Sequence, residues 1–162
     1  MAKVVPIVKS ESGLNGIVQL VDLVHEVVAL SMHWLQPLLK GEGITMGEFM
    51  AMHHVLNIDN ASVSTVARHL GVSAPTVCVN IDRLVDAGLV HRHRSERDRR
   101  AVELSLTPKG RKVEARIWIQ LANFMSEGTR SLPEADITAA IRVFREAKQR
   151  FLSGGSSPGE AP

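Results

Sequence analysis

Apolar positions first recur at helical spacing. From Leu14 they run Leu14, Ile17, Val18, Val21, Val24, Val28, Met32 and Leu35. Steps of mostly three and four place them on one stripe of a helix. The pattern predicts a long helix over residues 14–40 that ends near Pro37, with Gly41 and Gly43 as the break. Pro6, Ser10, Ser12 and Gly13 argue against an earlier start, so residues 1–13 are expected to form a flexible arm. Thr45 and Glu48 have the spacing of a capping box. Phe49, Met52, His53 and Leu56 then continue one helical face to about Asn57, and Asp59 and Asn60 read as a turn.

Two short helices follow. Ser62 opens the first, with Val63, Val66, Ala67 and Leu70 facing inward, and Gly71 ends it. Ser73 is a good N-cap for the second. Pro75 falls in its first turn, where amide protons have no intrahelical partner. Val77, Ile81, Leu84 and Val85 mark its buried face up to Gly88. The period then drops to two. Residues 89–94 and 101–106 read as strands, with Val102, Leu104 and Leu106 on one face. The polar run 95–100 between them makes a hairpin with a charged tip. Thr107 and Pro108 open another helix to about Gly128, a last one runs from near Pro133 to Leu152, and residues 153–162 form a flexible Gly/Ser/Pro tail.

Composition narrows the class. The chain has 162 residues, of which 44% are hydrophobic and 22% charged, enough to bury a core. Aromatics are only 4% and Tyr is absent, so that core is aliphatic. A single cysteine permits no intramolecular disulfide. No signal-like segment is read at the N-terminus, and Asp22, His25, Glu26 and His33 interrupt the apolar run 17–39. A cytoplasmic protein with no membrane span is expected. No Gly-rich phosphate loop, nucleophile elbow or metalloprotease motif is present, so no enzyme is expected.

Charge placement says more than the net value of +2. From His91 to Arg100 there are five Arg, two His and only two acids. Gly71, Val72 and Ser73 join the two short helices as a helix-turn-helix, in which small Ala67 permits a close crossing. A basic hairpin directly after such a pair is the order a wing requires. Arginine suits phosphate contact and minor-groove insertion, because its planar fork donates in several directions. The fold class is therefore mostly α with a small β-hairpin: a winged helix-turn-helix domain over 44–110, with long helices before and after it.

Residues 62–110 resemble the MarR family of regulators. The likeness rests on Ser73-Ala74-Pro75-Thr76-Val77, Asp82-Arg83-Leu84, Gly88-Leu89-Val90, Asp98-Arg99-Arg100 and Leu106-Thr107-Pro108-Lys109-Gly110. With the flanking helices it covers roughly residues 14–152. It implies a transcriptional regulator, a ligand-responsive repressor that binds a pseudo-palindromic operator in double-stranded DNA. It further implies a homodimer whose first and last helices (14–40 and 111–152) interlock. The recognition helix would enter a major groove and the wing the adjacent minor groove.

On this resemblance the recognition-helix candidates are Ser73, Ala74, Pro75, Thr76, Cys78, Val79, Asn80 and Arg83. The wing candidates are Arg92, Arg94, Arg97, Asp98, Arg99 and Arg100, with Arg100 as the tip arginine and Asp98 as its orienting partner. Relatives often carry basic or hydroxylic residues where this chain has Ala74, Cys78 and Val79. Those three can touch thymine methyls but cannot make bidentate contacts to guanine. Base reading then falls to Ser73, Thr76 and Asn80, with Thr76 standing equally as a helix cap.

No cofactor is required. The implied effector is a small aromatic acid, in a pocket for which His33, Trp34, Met50 and His54 are candidates, although Trp34 also suits a dimer interface. Cys78 reads as a space-filling residue. No metal site is assigned: adjacent His53 and His54 point about 100° apart on a helix, although His25, Glu26 and His53 could meet in space. The alternatives are a metal-responsive regulator or a non-sensing architectural DNA-binding protein of the same fold.

Overall fold

The computed structural model describes residues 12–95 and 101–153. The expected N-terminal arm (except residues 12 and 13), nearly all of the C-terminal tail, and the hairpin tip at 96–100 lie outside them. Six helices and one hairpin occur in the order α1 (Ser12–Glu42), α2 (Met46–Asn57), α3 (Val63–Leu70), α4 (Ala74–Asp86), β1 (Val90–Arg94), β2 (Val102–Leu106), α5 (Pro108–Thr129) and α6 (Glu134–Leu152).

One expectation is corrected in α1. The helix does not end near Pro37 but carries it inside and continues to Glu42. An internal proline removes one helical hydrogen bond and disfavours the helix by about 3 kcal/mol. Leu35 and Leu39, buried in the core on either side of Pro37, offset that loss. Burial of such a side chain is worth about 1.5–3 kcal/mol. The stop comes at Gly43, in the left-handed region at φ 71°, where the Ile44 amide bonds back to the Leu39 carbonyl.

The capping box at α2 is present: the Thr45 amide donates to Glu48 Oε2 at 2.7 Å, and the Glu48 amide to Thr45 Oγ1 at 3.2 Å. Phe49 and Met52 are buried as the pattern predicts. Ala51 and Val55 join them. Leu56 does not; it faces solvent. Asn60 takes φ 53° in the expected turn, a conformation that Asn tolerates better than most residues.

The strands pair antiparallel, with Val90 opposite Leu106, Arg92 opposite Leu104 and Arg94 opposite Val102. Leu104 and Leu106 are buried, while Val102, further toward the tip, is exposed. The Leu104 amide also bonds to the Ala61 carbonyl at 2.7 Å, which ties the hairpin to the segment before α3. Thr107 caps α5: its hydroxyl accepts from the Gly110 amide at 2.9 Å and donates to the Gly88 carbonyl at 2.8 Å.

The chain divides into two compact units, residues 1–121 and 122–162. The first holds one continuous core from Leu35 to Ile117, aliphatic except for Phe49 and the Trp118 that packs against it. In it Val77, Ile81 and Leu84 of α4 are buried with Val66 and Ala67 of α3. The second comprises the end of α5 and all of α6. Its Ile141, Phe144 and Phe151 are exposed in the single chain, as are Leu14, Ile17, Val21 and Leu30 of α1. By length and composition α1 would suffice to cross a membrane.

Candidate nucleic-acid interface

The recognition-helix candidates begin at a turn built by three residues. Gly71 closes α3 at φ 66° and ψ 28°, a left-handed conformation that disfavours a Cβ. The Val72 amide bonds to the Ala67 carbonyl, and Ser73 then caps α4 by accepting from the Thr76 amide at 3.3 Å. The hydroxyls of Ser73 and Thr76 lie 2.7 Å apart. Thr76 thus takes part in the cap. Pro75 sits in the first turn of α4, as its missing N–H allows.

Beyond the cap, most polar candidates on α4 already have protein partners. Asn80 packs against Gly47 of α2, where an added Cβ would lie 3.0 Å from Asn80 Nδ2. The Arg83 guanidinium lies 3.6 Å from Glu48 Oε1, a buried carboxylate that also completes the α2 capping box. Cys78 Sγ donates to Asp82 Oδ2 at 3.7 Å and accepts from Arg92 Nη2 at 3.9 Å. Ala74, Pro75 and Val79 remain exposed and apolar.

Arg92 of β1 is also tied: its Nη1 lies 2.6 Å from Asp82 Oδ1 on α4. His91, His93 and Arg94 are exposed along the same strand. Lys109 Nζ donates to the Ala87 carbonyl at 2.9 Å, a favourable place for a cation at a helix C-terminus. The Ser95 amide bonds to the Ala101 carbonyl at 3.0 Å. Arg97, Asp98, Arg99 and Arg100 lie outside the described residues.

Sequence reasoning assigned no role to Asp82 or to Glu114. Glu114, buried in α5, bonds His53 Nδ1 at 2.9 Å. His53 is therefore paired with Glu114, while His25 and Glu26 lie exposed on α1. The only local signal for this pairing was an acid on the inner face of an otherwise apolar helical stripe. The His53 ring also lies 4.8 Å from that of Trp118, tilted by 49°, and Trp118 packs on Phe49. His54 lies 6.0 Å from His69, ring to ring. Burial, then His53 and His69, hold the His54 pKa below the usual 6.5. Among the described residues no group of three or more His, Cys, Asp or Glu is arranged to hold a metal ion.

A separate groove of about 980 Å³ lies where the end of α1 meets the start of α2. His33, Trp34, Leu38, Lys40, Ile44 and Met46 are among its walls. Of the four pocket candidates, His33 and Trp34 line it. Met50 packs against the core, and His54 stands in the histidine cluster.

Two crossed short helices with a glycine turn, followed by a hairpin whose exposed strand is basic, make a winged helix-turn-helix. Residues 42–101 match the model of the MarR family. A MarR family protein from Bacillus stearothermophilus shares the fold at a TM-score of 0.72 and 20% identity, over 85% of this chain and 96% of that one. Staphylococcus aureus MarR, solved in complex with salicylate and kanamycin, gives 0.70 and 14%, over 85% and 93%. A MarR transcriptional regulator from Methanosarcina mazei gives 0.66 and 21%, over 82% and 97%. No curated protein matches the chain in sequence. The chain has the winged-helix fold of the MarR family proteins, and its residues 42–101 match that family's model in sequence.

Proposed function

We propose that this protein is a sequence-specific DNA-binding regulator: a ligand-responsive repressor that binds a pseudo-palindromic operator as a cytoplasmic homodimer. The observation that carries the reading is the α3–α4 pair followed directly by a hairpin with His91, His93 and Arg94 exposed. In this reading the first half of α4, from Ser73 to Val79, enters the major groove. Arg94, Arg97 and Arg99 contact phosphates, which supply affinity without sequence information. Arg100, oriented by Asp98, enters the minor groove. Binding rather than catalysis is the activity.

Residues 14–40 and 111–152 form the dimer region. The exposed apolar side chains of α1 and α6 support this, because a lone soluble chain rarely leaves so much apolar surface in water. A second copy covers them, and no membrane is involved. The effector is a small aromatic acid in the α1–α2 groove, where Trp34 and Met46 offer apolar contact and Lys40 a counter-charge for a carboxylate. The salicylate bound to the Staphylococcus aureus protein of the same fold supports that ligand class.

The test is a titration of a duplex selected by the protein against random duplex of equal length, at fixed salt. A regulator is expected to prefer the selected site by roughly 10³ or more. Equal affinity leaves only a non-sensing architectural DNA-binding protein. Sedimentation at micromolar concentration is expected to give a dimer, and a monomer overturns that part.

A further inference from the structure

We infer that Val79 reads the C5-methyl group of thymine and so adds an apolar contact to the reading of bases by α4. The inference rests on the DNA-binding reading above and deepens it. Val79 is two residues from both Val77 and Ile81, the buried anchors of α4. At about 100° per residue it therefore lies about 200° round the helix from each, at the centre of the outward face. It is 51% exposed. Pro75, one turn earlier, and Ala74 extend an apolar surface to the start of the helix, and exposed Val72 in the turn adds to it.

Several of the polar side chains around this strip have contacts within the protein. Ser73 and Thr76 bond each other. Asn80 packs on Gly47, Arg83 on Glu48, and Cys78 and Asp82 on Arg92. At the centre of its outward face α4 presents the isopropyl group of Val79, with the exposed Arg83 one turn further on. An isopropyl group neither donates nor accepts, so the donor and acceptor patterns of guanine, adenine and cytosine give it nothing to match. Thymine alone places an apolar substituent in the major groove. Exposed Arg68 on α3 and Arg94 on β1 provide the positive charge that duplex DNA requires of such a surface.

The experiment uses the full-length protein and a duplex recovered by selection from a random library. Each thymine of one half-site is replaced in turn by deoxyuridine, which removes only the methyl group. At one thymine the affinity is expected to fall about fourfold, the equivalent of one apolar carbon returned to water. Val79→Ala is expected to bind the unmodified duplex weakly and to be indifferent to that replacement. Arg94→Ala is expected to weaken both duplexes alike. Since Val79 is exposed, thermal unfolding of Val79→Ala is expected to match the parent. Affinity untouched by deoxyuridine at every thymine overturns the inference and leaves DNA binding standing. So does a Val79→Ala variant that still distinguishes the two duplexes. Recovery of no preferred duplex removes the proposed function, and this inference with it.

Discussion

Arg92 and Asp82 join the wing to the recognition helix, with Arg92 Nη1 2.6 Å from Asp82 Oδ1. The pair bridges the strand and the helix that are proposed to enter neighbouring grooves. Exposed ion pairs of this kind contribute about 0–1 kcal/mol. A double-mutant cycle of Arg92→Ala and Asp82→Ala in urea is therefore expected to give a coupling within that range. Each single variant is expected to lose affinity for the preferred duplex, with the double variant no weaker than Arg92→Ala. Additive losses would mean that the two side chains meet DNA independently.

Gly110 is a second structural constraint. A Cβ there would overlap the backbone carbonyl of Leu89, which cannot swing aside as a side chain can. Gly110→Ala is expected to destabilise the fold by about 1–3 kcal/mol through overpacking. Chemical denaturation measures it, and an unchanged midpoint contradicts the close approach of α5 to the Leu89 backbone between α4 and β1.

The histidine cluster predicts a pH dependence. The folded protein holds His54 below its ordinary 6.5, so the fold favours the neutral ring. Its contribution is complete above the unfolded value and is lost as pH falls through the lower folded value. Between about pH 7.5 and about pH 5 the melting temperature of the parent is expected to fall further than that of His54→Gln. Parallel curves would show that His54 does not drive the change.

Effector binding in the α1–α2 groove is testable through Trp34. Titration with salicylate is expected to change indole emission in the parent and not in Trp34→Phe. Lys40→Ala is expected to bind more weakly, with the larger loss at low salt. A full response in Trp34→Phe would place the ligand elsewhere.

At the hairpin tip, Arg100→Ala is expected to weaken duplex binding while sedimentation still reports a dimer. Normal operator affinity would remove Arg100 from the wing reading.

Much of the fold was legible because it rests on local rules. The Thr45 and Ser73 caps, the left-handed Gly71, and the change of period after Gly88 each depend on residues a few positions apart. The end of α1 was not legible in this way. Pro37 reads as a stop when only its missing N–H is weighed, and the helix continues because Leu39 reaches a core assembled from other elements. Leu56 likewise fits the apolar spacing of α2, yet it lies beyond the reach of that core.

The candidate site divides along the same line. Residue type and order alone established an arginine-rich hairpin behind a helix-turn-helix, and the plain outer face of the second helix. Which side chains remain free there depended on partners far along the chain. Arg83 meets Glu48, Arg92 meets Asp82, and His53 meets Glu114, 61 residues away. Capping, turn formation and helical period act through neighbours in sequence, so they can be read from the residues in order. Charge pairing and burial act through neighbours in space, and those exist only once the helices have packed.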